Sequence, residues 1–303
     1  MSDLPTRTLG RTGLDVTVLG FGSSMTPMRW TNGQPITPET ADTVLNSVLD
    51  AGINYIDTAI DYGESEVCIG RYIARRRDEY ILASKCGCPI NVAPSLGDGG
   101  APHVFTRENI VAGVEQSLTR LQTDYLDIVQ VHNGPPVSII HAEHVIETLL
   151  DLQRAGKVRF IGSSATFLSD TADHIALGVF DVVQMSYSAL ERESTAEITS
   201  AARSGAGTVI RGGIARGGPG IGRGDASLWS RFHAAGLDDL LDGATRSEFM
   251  LRYTISNPDL TTTIVGTLNL EHLAENLASA RKGPLPSEIY EEATRRLDSF
   301  EIE

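Results

Sequence analysis

One recurrence constrains this chain more than any other feature. Eight times, a short apolar run rich in β-branched residues gives way to a helical pattern, and seven of the eight carry a polar residue at or near their end. The runs span 16–22, 53–58, 80–85, 125–132, 158–164, 180–187, 208–213 and 262–267. Amphipathic segments fall between and after them at 39–51, 64–77, 107–121, 138–155, 167–177, 191–204, 245–256 and 270–280. Strands that are apolar on both faces must be covered on both faces, so their alternation with helices predicts a parallel sheet inside a helical layer. Eight such units satisfy a closed α/β TIM barrel, (β/α)8, and exceed what an open doubly wound sheet usually needs. The Gly-rich stretch Gly217 to Gly224 also follows the seventh strand, where a doubly wound nucleotide fold would have it after the first. Ahead of the first barrel strand, TRTLGRTGLDVTVLG carries turn signals at Gly10 and Gly13 and reads as an N-terminal β-hairpin able to plug the barrel bottom. The segment after Pro286 reads as a short C-terminal closing helix.

The length of 303 residues would suit two average domains, but no Pro/Ser run, charge block or composition shift marks a linker, so residues 1–303 are expected to form one barrel domain. The balance of 25 basic against 39 acidic groups gives a net charge of -14, which argues against a nucleic-acid or anionic-membrane partner. No apolar stretch has the length of a membrane span, and the start MSDLPTRT lacks a signal-peptide apolar core, so a cytoplasmic location is expected. Cys68, Cys86 and Cys88 are an odd set and too few for a disulfide framework. Two long loops rich in Gly or Pro, 86–105 and 216–243, leave the carboxyl ends of the third and seventh strands, where barrel enzymes build their sites.

The last residues of the runs carry the chemistry. Asp57, Lys85, His132, Ser163 with Ser164, Gln184, Arg211 and Thr267 each end an apolar strand. Barrel closure would gather this mixture of carboxylate, amine, imidazole and amide at one mouth. The segment INYIDTAIDYGESE, then ILASK ending at Lys85 and YLDIVQVH ending at His132, resembles the aldo-keto reductase family. The likeness runs from RTLGRTGLDVTVLGFG to IVGTLNLEHLAEN near the end. It implies a metal-free barrel that reversibly reduces the carbonyl group of a small molecule with NAD(P)H, and a catalytic set of Tyr62, Asp57, Lys85 and His132.

The residue chemistry agrees with that implication. A carbonyl accepting hydride becomes an alkoxide and needs a proton donor beside it. Free Tyr, with a pKa near 10, is a competent donor at neutral pH, and a neighbouring ammonium stabilises the phenolate left behind. Lys85 would be that ammonium, Asp57 would keep it charged, and His132 would orient the carbonyl oxygen. Asp61 and Glu64 read as the capping turn of the next helix, and Glu66 as support for the site.

For the cofactor, the resemblance assigns Gln184 and Tyr187 to the nicotinamide carboxamide and ring, Ser164 to the same amide with Ser163 expected to stand in for a missing partner, and Gly22 with Ser23 to the floor beneath it. Ala165 replaces the Asn of the family's Ser-Asn pair. Arg211, Gly212, Gly213, Ile214, Ala215, Arg216 and Gly217 fall where the family wraps the pyrophosphate, with the two glycines in place of Ser and Pro. The tract GGPGIGRG has the wrong spacing for a dinucleotide fingerprint, shows no helix pattern opening on it, and reads as loop cover. Gly266, Thr267, His272, Glu275 and Asn276 match the adenosine end. NADPH is the first choice, with NADH possible, because Leu268 stands where many relatives have a cation. Met25, Trp30 and Asn133 are candidates to line the substrate pocket. No metal is expected: Cys86 and Cys88 lack C-x-x-C spacing, His103 is the only His in the loop that follows, and Lys85 would repel a cation. Two other readings stay open at this level, a cofactor-binding regulatory subunit with little turnover and a metal-dependent barrel hydrolase. Substrate identity and oligomeric state are not legible.

Overall fold

The computed structural model describes residues 3–23, 36–90, 102–218 and 224–300. Two short strands, β1 (Thr6–Thr8) and β2 (Asp15–Thr17), come first and pair as the antiparallel hairpin. Eight parallel strands then close into a barrel: β3 (Leu19–Gly22), β4 (Tyr55–Asp57), β5 (Ile81–Cys86), β6 (Leu126–His132), β7 (Val158–Ser164), β8 (Val182–Ser186), β9 (Gly207–Arg211) and β10 (Thr262–Val265). The last strand pairs with the first of the barrel, Thr263 opposite Leu19 and Val265 opposite Phe21, so the sheet has no free edge. The run expected as one strand over 16–22 is divided at Val18, its first residues belonging to the hairpin and the rest to the barrel.

Side chains alternate between two cores, as the two-residue period of a strand requires. The outer core lies between strands and helices and includes Phe21, Ile56, Leu82, Val129, Ile161, Val183 and Ile210. The inner core fills the lower barrel with Tyr55, Ala83, Ile128, Val182 and Val209, closed from below by Leu9 and Val16 of the hairpin region. That plug is seated by close approach. A Cβ on Gly207 would strike Leu9, and Gly10, at φ +48°, lies against the Gly205–Gly207 backbone. Arg11 then donates to the Phe180 carbonyl (3.1 Å) and Arg7 to the Ile255 carbonyl (2.7 Å), fastening the hairpin to the amino-terminal side of the strands. The opposite mouth carries the polar strand ends.

The covering helices are α1 (Pro38–Asp50), α2 (Ser65–Ile73), α3 (Arg107–Leu121), α4 (Val137–Ala142), α5 (Val145–Arg154), α6 (Leu168–Ala176), α7 (Thr195–Arg203), α8 (Ala226–Ala234), α9 (Arg246–Ser256), α10 (Leu270–Arg281) and the closing α11 (Ser287–Phe300). Their starts follow capping chemistry: Thr37, Thr106, Thr245, Asp225 and Asn269 each accept a backbone N–H of the first turn. Two expectations change. The segment 138–155 is two helices, broken where His144 adopts a left-handed φ of 51°. The loop 216–243 contains α8 and a 3-10 turn (Leu237–Leu240), so a helix does open two residues beyond the GGPGIGRG tract, on the Asp225 cap. Among the described residues no helix is long and apolar enough to cross a membrane.

Candidate active site

Strand alternation decides which polar residues reach the mouth. Asp57 shares the inward face with Tyr55, Lys85 with Ala83, Gln130 and His132 with Ile128, Gln184 with Val182, and Arg211 with Val209. Their neighbours one position away face the helices. Ser84 therefore meets Glu66 of α2, its Oγ donating to Oε1 at 2.8 Å. Ser163 does the same, its Oγ lying 2.6 Å from His174 Nδ1 on α6. The expectation that Ser163 joins Ser164 at the cofactor amide is corrected on that ground: consecutive strand residues point to opposite faces.

At the centre sits a buried ion pair. Lys85 Nζ is 2.6 Å from Asp57 Oδ1 and donates to the Thr58 carbonyl at 2.9 Å, with both charged side chains at most 1% exposed. Burial pushes Lys85 toward the neutral amine, but the Asp57 carboxylate and Tyr62 outweigh it and hold the ammonium above its ordinary value. The other carboxylate oxygen, Asp57 Oδ2, accepts from Gln130 Nε2 (3.0 Å) and Gln184 Nε2 (2.8 Å). Gln184 Oε1 in turn accepts from Ser164 Oγ (2.9 Å), so three strands of the barrel lock one carboxylate. Gln130 was missed in the sequence reading. Its signal was present, a polar residue two positions before His132 in an apolar strand and hence on the same face. Gly162 gives it room, since a Cβ there would press on Gln130 Cγ at 3.0 Å.

Tyr62 stands above this pair in the turn between β4 and α2, with Lys85 Nζ 5.0 Å from its ring centroid. His132 packs edge-on against it, with ring centroids 5.7 Å apart. Burial, together with Lys85, His103 and Arg211, holds His132 well below its ordinary pKa, so its ring is neutral. Its Nδ1 lies 3.1 Å from Cys88 Sγ, 3.1 Å from His103 Nε2 and 3.6 Å from Asp61 Oδ2. Asp61 therefore belongs to the mouth. The capping expectation holds in position for Glu64, which occupies the N-cap of α2, although its side chain makes no capping bond; Asp61 turns to the mouth instead. Glu66, fully buried, ties Ser84 of β5 and Arg120 of α3 (3.4 Å) to α2 and so braces the strand that carries Lys85.

The remaining predicted residues divide between mouth and packing. Ser23 is buried, its Oγ donating to the Asp57 carbonyl (2.8 Å), and Gly22 packs against Ile264. Tyr187 is buried and faces Tyr253 and Tyr290. After β9 the chain turns through left-handed Gly212 (φ 78°), Ala215 (46°), Arg216 (61°) and Gly217 (79°), with Ala215 N–H donating to the Gly212 carbonyl at 2.7 Å. Gly213 is packed against Thr263 and Thr254, and Ile214 is half-buried. Trp229 of α8 donates to the Ala215 carbonyl (3.2 Å) and pins this turn. Half-buried Arg211 approaches the Ala165 carbonyl at 3.4 Å. At the start of α10, Thr267 is 9% exposed and accepts from Asn269 N–H (3.1 Å); Gly266 and Glu275 are exposed, His272 half-buried and Asn276 buried. Asn133, at φ 47°, is exposed past the end of β6 and accepts from Thr166 (2.8 Å). Met25 and Trp30 lie outside the described residues.

The comparisons with known proteins agree with this geometry. The model of the Aldo/keto reductase family matches residues 18–217. L-galactose dehydrogenase of Arabidopsis thaliana is 28% identical over 299 residues, covering 92% of this chain and 89% of that protein. The NADH-specific methylglyoxal reductase of Escherichia coli (strain K12) is 28% identical over 305 residues, covering 90% of each. The solved holo form of an aldo-keto reductase from Bacillus halodurans superposes with a TM-score of 0.81 at 25% identity, over 97% of this chain and 96% of that one. With a closed eight-stranded barrel, a buried Asp–Lys pair beneath a tyrosine, and a family match that runs from the first barrel strand through the loop after β9, the chain belongs to the aldo/keto reductase family.

Proposed function

We propose that the protein is an NAD(P)H-dependent oxidoreductase that reduces the carbonyl group of a small aldehyde or ketone to the alcohol, with Tyr62 as the proton donor. The observation that carries this reading is the Lys85–Asp57 pair, sealed from water and set 5.0 Å from the Tyr62 ring centroid. When bound, NAD(P)H supplies the hydride. The chain's own residues handle the proton. Tyr62 Oη gives its proton to the developing alkoxide, and the Lys85 ammonium stabilises the phenolate that remains. Asp57, held by Gln130 and Gln184, keeps Lys85 charged in a site that would otherwise favour the neutral amine. His132, edge-on to Tyr62, orients the carbonyl oxygen.

The residues present fit a dinucleotide. The turn after β9 is held in shape by its own bonds, Ala215 N–H to the Gly212 carbonyl (2.7 Å) and Gly217 N–H to the Ile214 carbonyl (2.9 Å), and Arg211 and Arg216 bring positive charge to a diphosphate there. Among the described residues a Cβ on Gly212 would meet only Glu191 Oε2 at 4.0 Å, which leaves room for a ligand to approach that turn. Ser164 and Gln184 are the candidates for the nicotinamide amide, Tyr187 for the ring, and Thr267, His272, Glu275 and Asn276 for the adenosine end. NADPH is the expected cofactor and NADH an accepted one, since half-buried Leu268 offers no charge to a 2′-phosphate. Free thiols at Cys68, Cys86 and Cys88 support a cytoplasmic location, and closure of all eight parallel strands in one barrel supports a single domain.

The test is Tyr62→Phe. Carbonyl reduction should fall by about two to four powers of ten while cofactor affinity, read by quenching of protein fluorescence, changes only a few-fold. Near-normal turnover in that variant would remove Tyr62 from the reaction.

A further inference from the structure

Four potential ligand atoms converge beside the catalytic tyrosine: Asp61 carboxylate oxygen, Cys88 Sγ, His103 Nε2 and His132 Nδ1 all lie within 4.8 Å of one another. Each comes from a different segment. Asp61 belongs to the turn after β4, Cys88 to the start of the loop after β5, His103 to the end of that loop, and His132 to the last residue of β6. We propose that they form a binding site for one divalent metal ion of the zinc class.

The separations, up to 4.8 Å, are those of a somewhat expanded tetrahedron. Bonds of about 2.0–2.1 Å to nitrogen or oxygen and about 2.3 Å to sulfur put tetrahedral ligand atoms roughly 3.3–3.6 Å apart. Here His132 Nδ1 is 3.1 Å from both Cys88 Sγ and His103 Nε2, and Asp61 Oδ2 is 3.6 Å from His132 Nδ1 and 3.9 Å from His103 Nε2. Sub-ångström adjustments would complete the geometry. Hydrogen bonding alone serves the cluster poorly, because one imidazole nitrogen is either a single donor or a single acceptor, yet His132 Nδ1 faces two partners at equal distance. Asp61 Oδ1 is buried and has no hydrogen-bond partner among the described residues, so that carboxylate is incompletely satisfied by the protein groups described around it.

The site is built into the fold. Val104 N–H donates to the Gly87 carbonyl (2.7 Å), and Asn109 Nδ2 of α3 donates to the carbonyls of Cys88 (3.1 Å) and Val104 (2.7 Å). Phe105 fills the space over Gly87, whose φ of +88° excludes a side chain. These bonds clamp both ends of the loop, so Cys88 and His103 are presented together although fifteen positions separate them. Charge also balances. A thiolate and a carboxylate neutralise a divalent ion, the Cys88 proton passing to solvent on coordination, and Lys85 is already compensated by Asp57. One thiolate with two imidazoles selects zinc, cobalt or copper over magnesium or calcium. Coordination through Nδ1 would leave the His132 proton on Nε2, so the site would set the tautomer of a residue used in carbonyl reduction.

The experiment is a Co2+ titration of the full-length protein after EDTA treatment and dialysis. The expected result is saturation at one equivalent, with intense visible bands of tetrahedral cobalt and a near-ultraviolet thiolate charge-transfer band, both removed by one equivalent of Zn2+. Cys88→Ala should abolish the charge-transfer band, and Cys88→Ala and His103→Ala should each weaken binding by about a hundredfold or more, whereas Cys86→Ala, on the outward face of β5, should leave the spectrum intact. His103 is partly exposed, so its variant decides the matter even where Cys88→Ala fails to fold. No saturable binding by the wild type, a weak octahedral spectrum, or stoichiometric binding that survives His103→Ala overturns the proposal. None of these outcomes depends on carbonyl turnover.

Discussion

Replacing Asp57 by asparagine removes one charge from a pair that no water reaches. At 2.6 Å and an effective dielectric constant of about 20, the lost attraction is 332/(20 × 2.6), about 6 kcal/mol gross. Desolvation of the two ions offsets part of this, so the net cost of orphaning Lys85 is about 3–5 kcal/mol, and Lys85→Met should cost a similar amount by orphaning Asp57. The double variant leaves no uncompensated charge, and the carbonyl of the introduced asparagine can still accept from Gln130 and Gln184. It should lose no more than either single variant, a coupling of about 3 kcal/mol. Urea denaturation followed by far-ultraviolet circular dichroism measures the stabilities, and turnover of a simple aldehyde with NADPH measures the chemistry. Turnover should not recover with stability, because the double variant has no ammonium beneath Tyr62; all three variants should fall by about two to four powers of ten. Additive stability losses would show that the pair is solvated. Recovery of turnover in the double variant would show that Lys85 serves the fold and not the reaction.

Glu66 gives a pH signature of known sign. Burial, only partly offset by Ser117, Ser84 and Arg120, raises its folded-state pKa above the ordinary carboxylate value, so the folded protein binds this proton more tightly than the unfolded chain. The associated stability is present at pH below about 4.5 and is lost as pH rises through the raised folded value. Glu66→Gln should therefore gain in Tm relative to wild type between pH 4.5 and pH 8, and a relative loss over that range contradicts the assignment. Gly70 of α2 lies against the Arg120–Leu121 backbone with no space for a Cβ, so Gly70→Ala should cost about 1–3 kcal/mol in denaturant unfolding despite the better helix propensity of Ala. An unchanged midpoint would mean that α2 and α3 are not packed as described. Leu268→Arg should raise the NADPH over NADH ratio of kcat/KM by about tenfold, roughly 1.4 kcal/mol, and an unchanged ratio would place the 2′-phosphate elsewhere.

Much of the fold was legible because burial on both faces forces a strand to be apolar along its length. The seven strand ends singled out in the sequence differ from the structure by at most a few residues, and the hairpin lies at the barrel bottom as its glycines suggested. What failed was local and competitive. His144 breaks a continuous amphipathic pattern by taking a left-handed conformation, and α8 forms in a Gly-rich region because Asp225 caps it and Trp229 docks on Ala215. Ser163 and Ser164 look alike in sequence, yet one faces His174 and the other Gln184.

The sequence by itself determined the periodicity: which runs become strands, which segments cover them, and which polar residues stand at the carboxyl ends. It could not determine who meets whom across the barrel. Asp57, Gln130 and Gln184 share a bond network although 73 and 127 positions separate them from the carboxylate, because closure of the sheet at one register sets their inward faces at the same height. The same closure brings Asp61, Cys88, His103 and His132 together, the arrangement on which the metal site is proposed, although spacing along the chain showed no sign of one. Ligand geometry depends on distances of a few ångströms in space, and only the packed barrel and its clamped loop supply them.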